Sequence, residues 1–363
     1  MINNDQLQSE TISYLRFPLI AVVVLAHSSI ALYTIQGENV GAEVTFPVYE
    51  NIGYYITWVF GQIVIPTFYF ISGFLFFLNV QEWNVNMYGA KLKSRFYSLV
   101  IPYLFWNLLA LALFFIAENM PFISGLFSGD YMKIKDYGIK EFLMAFWVKE
   151  GGVALSPFVY PLWFVRDLIV IVVMTPLVYW TIRYLKIFGL AVLFALWYLD
   201  VFNIAGLNTA GLFFFSAGAY FGLHKINLTT FFNKMYYLSM LYPALSLIDL
   251  ATRYHEFNKH IHYIGIIVGV IFLFNVVSSG IRRGKLHVSV FLANAGFFVY
   301  VTHEPWLLLI KKLSFSVFRP SSEISYILLF LIPALFIIGL SLSVYYLMNK
   351  YMPRVLKVID GGR

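Results

Sequence analysis

The stretch Tyr14-Leu-Arg16-Phe-Pro-Leu-Ile-Ala-Val-Val-Val-Leu-Ala-His27 reads as one apolar helix with two ionisable side chains, Arg16 and His27, and only apolar residues between them. Eleven helical steps of ~100° come to ~1100°, about 20° past three full turns, so both side chains fall on one face. The same steps rise ~16 Å, which carries His27 from a membrane boundary at Arg16 to about the bilayer midplane. Ionisable groups at that depth are costly and read as functional by default. Each also has a bland explanation. Arg16 can anchor the helix end by snorkelling, and His27 can make no more than an interhelical hydrogen bond. Their shared face favours function.

The rest of the chain extends this reading. Its 363 residues are 60% hydrophobic, 20% aromatic and 12% charged, with a mean hydropathy of +0.77. A soluble chain would carry roughly twice that charged fraction, so an all-α polytopic membrane protein is expected. The net charge of +7 sits in short basic clusters between apolar runs, which points to cytoplasmic loops and not to nucleic acid. With no cysteine, disulfides, thiolate metal sites and a cysteine acyl-enzyme are excluded, and no metal is expected. Asp5 and Glu10 precede Arg16 but no Lys or Arg does, so the N-terminus lacks the basic flank of a cleaved signal peptide.

Ten spans are expected, near 13-35, 53-79, 97-117, 161-182, 187-202, 208-224, 233-251, 261-280, 288-310 and 324-348. The second should hold an interfacial stretch, Tyr54 to Phe60, before a kink at Pro66. In the long connection 118-160, the piece Glu141 to Trp147 fits an amphipathic interfacial helix. The hydrophobic runs are continuous, not alternating, which argues for helices and against a membrane β-barrel, and no repeat of fixed period is present. Residues 1-363 read as one membrane domain with no soluble appendage.

Charge placement sets the orientation. With the N-terminus inside, nine basic residues lie outside: Lys133, Lys135, Lys140, Lys149, Arg253, Lys259, Lys311, Lys312 and Arg319. Apart from Arg16 and Arg166, the remaining fourteen, Lys91 to Arg363, lie inside. Setting aside the long loop, which weighs less, leaves fourteen against five. The first outer loop carries Glu38, Glu43 and Glu50 and no basic residue. Both termini are therefore expected in the cytoplasm.

Several further motifs place polar chemistry inside the spans. Pro66-Thr-Phe-Tyr-Phe-Ile-Ser72-Gly73 reads as a small-residue packing notch beside a proline kink. Lys91-Leu-Lys93-Ser-Arg95-Phe-Tyr-Ser98, ahead of Ile101-Pro102-Tyr103, suits positive-inside anchoring or phosphate binding. Pro161-Leu-Trp163-Phe-Val-Arg166-Asp167 suits a structural ion-pair station or a polar cavity. In Tyr300-Val-Thr-His303-Glu304-Pro305, the proline loosens backbone hydrogen bonding beside two ionisable groups, which suits a cavity wall better than a lipid face.

Taken in order, these residues resemble the integral-membrane acyltransferase family 3, and within it the stand-alone members that modify surface polysaccharide or antigen sugars. The resemblance rests on Arg16-x10-His27, Pro66 to Gly73, the basic run before Ile101-Pro102-Tyr103, Leu162-Trp163-Phe164, and Tyr300-x-x-His303. It covers about residues 12 to 310. It implies transfer of an acyl group, usually acetyl from acetyl-CoA, to a sugar of a surface or lipid-linked glycan. It places His27 and Arg16 in catalysis and Arg16, Lys93, Arg95 and Ser72 at the CoA donor, in a CoA-accessible polar cavity. Trp163, Arg166, Asp167, Tyr300, His303 and Glu304 fall to the acceptor side. There is one departure: where the family often has Arg-x-x-Arg, the second position here is Ser98, so Arg95 carries over alone. No metal cofactor is implied, and the expected partners are the bilayer, the acyl-CoA and the glycan, with a homo-oligomer compatible.

The residues themselves suit that chemistry. Transfer from a thioester to a hydroxyl needs a base, and neutral histidine serves near pH 7. Arginine binds phosphate oxygens bidentately. A transporter or glycan exporter with an intramembrane proton relay is the alternative. The missing repeat symmetry and the Arg16-His27 geometry weigh against it.

Overall fold

Apolar segments in lipid must satisfy their own backbone hydrogen bonds, and a helix does so within one segment. The computed structural model describes residues 2–29, 33–35, 38–40, 46–120, 132–149, 155–318 and 320–362, and these are mostly helical. Glu43, Glu150, Arg319 and Arg363 lie outside the described residues. In chain order the α-helices are α1 (Asn4–His27), α2 (Pro47–Tyr54), α3 (Val64–Phe77), α4 (Val85–Arg95), α5 (Ile101–Asn119) and α6 (Ile139–Met144). Then follow α7 (Trp163–Val173), α8 (Thr175–Trp180), α9 (Lys186–Tyr198), α10 (Thr209–Leu223), α11 (Leu228–Asn233) and α12 (Tyr236–Ser239). The last five are α13 (Tyr242–Thr252), α14 (Asn258–Arg282), α15 (Val290–Phe318), α16 (Glu323–Tyr351) and α17 (Pro353–Ile359). Two short antiparallel hairpins, Tyr33–Ile35 with Glu38–Val40 and Asn203–Ile204 with Leu207–Asn208, complete the regular structure.

Six stretches among the described residues are long and apolar enough to cross a membrane: Asn4–His27, Pro47–Phe77, Val85–Asn119, Thr175–Tyr198, Asn258–Arg282 and Glu323–Tyr351. The architecture is that of an all-α membrane protein. Several expected spans differ from the observed helices for local reasons. The first ends at His27 and does not run to 35. The fourth divides at Met174, just before Thr175-Pro176, and the seventh begins at the last residue of α11 and is split between α12 and α13. The ninth opens at Glu304, where φ is −103° and ψ is 139°. Pro66, where a kink is expected, lies in the first turn of α3, and the winding changes upstream of it, with a π-helix at Tyr55–Phe60 and a 3-10 turn at Gly61–Ile63. The amphipathic piece in the long connection is α6, whose Phe142, Leu143 and Met144 are exposed.

The contacts group into two compact units: Met1–Val23, Tyr54–Ser94 and Val170–Gly296, and then Val24–Gly53, Arg95–Ile169 and Phe297–Arg363. The first unit is built around α3 and α10, which approach backbone to backbone. A Cβ on Gly73 would run into the Phe215 carbonyl, and one on Gly218 into the Phe70 carbonyl. Phe70, Phe221, Phe232 and Phe274 pack beside this pair with ring centroids 5.3–6.0 Å apart. Buried Asn275 donates to the Phe232 carbonyl at 3.0 Å and to Ser239 at 2.9 Å, so the short helices α11 and α12 are pinned to α14. In the second unit, Trp106 of α5 donates to the Ile359 carbonyl at 2.9 Å. Thr302 of α15 donates to Ser341 of α16 at 3.0 Å.

Candidate active site

In the second unit the site begins where α1 stops. A helix end leaves its last carbonyls without helical partners. Lys311 of α15 supplies them, donating from Nζ to the His27 carbonyl at 2.7 Å and to the Ser29 carbonyl at 3.3 Å. A cation there also suits the helix dipole. Ser28 donates to the Phe330 carbonyl of α16 at 2.5 Å. The backbone that carries His27 is thus tied to two other helices. Lys311 was expected in an outer loop, but α15 runs on to Phe318 and leaves it only 5% exposed.

The His27 ring is held on three sides. Its Nδ1 lies 2.8 Å from the Tyr160 hydroxyl, which donates to Glu304 Oε1 at 3.3 Å. The Tyr160 ring meets it edge-on at 4.9 Å. His303 stacks against it, with centroids 5.4 Å apart and planes 25° apart. His27 Nε2 makes no hydrogen bond among the described residues. His303 is fully buried, with Nδ1 2.6 Å from the Tyr300 carbonyl. A carbonyl can only accept, so Nδ1 carries the hydrogen and Nε2 keeps the lone pair. That Nε2 is buried and has no partner among the described residues.

Glu304 reaches this cluster because α15 breaks at it. Pro305 has no N–H to give the Val301 carbonyl, so the helix cannot continue unaltered. Of the residues expected on the acceptor side, the structure therefore gathers His303 and Glu304 around His27. Tyr300 lies beside them, but its hydroxyl donates to the Pro161 carbonyl. Arg166 and Asp167 form a buried ion pair at 2.7 Å. The Arg166 guanidinium also donates to the Trp147 carbonyl and, at 2.8 Å, to the Leu155 carbonyl. Its nitrogens thus hold the long connection against α7. Trp163 is half-buried, its ring 6.5 Å from that of Phe164. In the same connection, burial pushes the Lys149 ammonium below the usual lysine range, with Glu118 opposing.

The first unit holds Arg16 and Ser72, and Lys93 is exposed there, whereas Arg95 belongs to the second unit. Arg16 lines a cleft of about 550 Å³ together with Asp5, Gln8, Asn79, Gln81 and Lys225. Its guanidinium has no hydrogen-bond or ion-pair partner among the described residues. The cleft wall is set by Asn227, which caps α11 and donates to the Asn4 carbonyl and to Asp5, both at 3.0 Å. Gln8 accepts from the Leu228 nitrogen at 2.6 Å.

A family model described as an acyltransferase domain matches residues 10–347. The chain belongs to acyltransferase family 3. No curated protein and no solved structure matches it. As a member of acyltransferase family 3 it is a membrane acyltransferase, and the matched range takes in every residue of the His27 cluster and the Arg16 cleft except Asp5, Gln8 and Ser9. Three residues of these sites escape sequence reasoning. Tyr160 lies in an irregular connection with no spacing to single it out, and Lys311 looks like a loop charge. Lys225 reads as one more basic residue of an inner loop.

Proposed function

We propose that the protein transfers an acyl group, acetyl in this reading, from cytoplasmic acyl-CoA to a hydroxyl of a surface or lipid-linked glycan. The reading is carried by His27, a half-buried imidazole with Nδ1 held by Tyr160 and Nε2 free of protein partners among the described residues. Such a nitrogen can take the hydroxyl proton as the oxygen attacks the thioester carbonyl. With no cysteine in the chain, the acyl group does not pass through a protein thioester.

The donor reading is supported by the cleft at Arg16. Its rim comes from the start of α1, from 78–81 after α3, and from 225–227 after α10. In the topology we assign, a ten-span, N-in and C-in chain in the inner membrane, the charge bias supports a cytoplasmic side for all three segments. A cleft of this volume is typical of small-molecule sites. Arg16 and Lys225 there offer cationic donors to phosphate oxygens. Lys93, Arg95 and Ser72 are assigned to the donor by resemblance alone. The acceptor is assigned to the outer side with Trp163, Tyr300 and His303.

The test is transfer of labelled acetyl-CoA into glycan by membranes that carry the protein. Label in the glycan, lost with His27→Ala, is the expected result. Movement of glycan across the membrane with no label incorporated would instead support the transport reading.

A further inference from the structure

We propose that Tyr160 and Glu304 form a relay that fixes the tautomer of His27 and presents its Nε2 as the base. The proposal rests on reading His27 as the base and adds two positioning residues to it. A phenol has one proton to give. Tyr160 lies 2.8 Å from His27 Nδ1 and 3.3 Å from Glu304 Oε1. The Tyr160 hydroxyl donates its proton to Glu304 Oε1, so the phenol oxygen accepts Nδ1–H from His27. The lone pair then sits on Nε2, the nitrogen that the protein leaves open. The opposite direction would place the hydrogen on Nε2 and remove the base.

The surroundings are built to hold this direction. Tyr160 opens a 3-10 turn, Tyr160–Leu162, whose backbone is pinned on both sides. Before it, the Val159 nitrogen donates to fully buried Asn107 of α5 at 3.1 Å. After it, the Pro161 carbonyl accepts from Tyr300 of α15. The Lys311 ammonium of α15 holds the His27 carbonyl at 2.7 Å, which fixes the backbone that carries the ring. His303 does not compete for Tyr160: its Nδ1 is committed to the Tyr300 carbonyl, and its Nε2 makes no hydrogen bond among the described residues.

In the reaction the acceptor oxygen forms its bond to the thioester carbonyl carbon while Nε2 takes the hydroxyl proton. The positive charge on the imidazolium is stabilised through Tyr160 by the Glu304 carboxylate. When the carbon–sulfur bond breaks, Nε2 returns the proton to the departing thiolate, and His27 is neutral again. Tyr160 and Glu304 orient the base and touch neither substrate.

The experiment measures kcat and donor KM for purified full-length Tyr160→Phe, Glu304→Gln and the double variant, with His27→Ala alongside. Each single change should lower kcat by about 10²-fold, within the 10²–10⁴-fold span of a general base, and leave donor KM near wild type. The double variant should lose little beyond either single one, because both break the same relay. A wild-type kcat in folded Tyr160→Phe overturns the relay, and so does a double variant whose losses multiply. Both results leave the base reading intact if His27→Ala is inactive. A His27→Ala protein that turns over normally overturns the base reading itself. A purely packing role is overturned as an explanation if Tyr160→Phe melts like wild type but has lost kcat.

Discussion

Replacing Gly222 with alanine sets two effects of known size against each other. In a helix interior alanine is favoured over glycine by about 1 kcal/mol. At Gly222, on α10, the new Cβ would stand 2.5 Å from the Phe74 carbonyl oxygen and 3.0 Å from the Leu78 nitrogen, both backbone atoms of the facing segment. Ordinary contact begins at 3.4 Å, so the two helices must part by about 1 Å. A backbone cannot swing aside as a side chain can, and overpacking of this kind costs about 1–3 kcal/mol, with packing lost along the rest of the pair. The net effect should be destabilising by up to about 2 kcal/mol once the helix preference is deducted. Gly89, on α4, is the control, since a Cβ there meets no atom within 4 Å. Gly89→Ala should be neutral or stabilise by up to about 1 kcal/mol. Thermal unfolding in one detergent, followed by tryptophan fluorescence, should show the two midpoints moving in opposite directions or separating by about 2 °C or more. If Gly222→Ala melts at or above Gly89→Ala, the backbone contact between α3 and α10 is not as described.

Three further outcomes follow from the charges. Arg166→Ala leaves the Asp167 carboxylate buried without its cation, which should cost about 3–5 kcal/mol and reduce the yield of folded protein measured by size-exclusion in detergent. Arg16→Gln should raise donor KM, and the wild-type advantage should shrink as salt rises, because contacts to phosphate near water are screened. A cysteine at Asn3 or Arg363 in this cysteine-free chain should not react with an impermeant reagent on intact cells. Labelling there would reverse the orientation.

Much of the candidate site is legible in the sequence where helical period carries the signal. Arg16 and His27 stand out because eleven apolar-spaced steps return to one face, and both do lie on α1. Glu304-Pro305 stands out because proline cannot supply a helical N–H, and α15 does open there. The residues that periodicity cannot reach are those brought in by tertiary packing. Tyr160 enters through a turn held by Asn107 and Tyr300, which are 53 and 140 residues away in the chain. Lys311 becomes part of the site only because α15 continues for two turns beyond the apolar segment. Span boundaries suffer for a related reason. Hydropathy averages over the breaks at Met174 and Glu304 and over the split between α12 and α13, where local backbone geometry decides. Arg166 shows the converse. Its charge inside a span marks it from sequence as structural or functional, and only its contacts with Asp167, Trp147 and Leu155 show how firmly it serves the fold.

The central claim is that His27 is the base for acyl transfer, and the most direct measurement is the transfer rate of purified His27→Ala under saturating acetyl-CoA. Donor binding by the same protein is measured by titration with a non-hydrolysable analogue. The account predicts a loss of about 10²–10⁴-fold in rate with donor affinity near wild type, because the cleft at Arg16 is left untouched. A folded His27→Ala protein that transfers acetyl at close to the wild-type rate would contradict it.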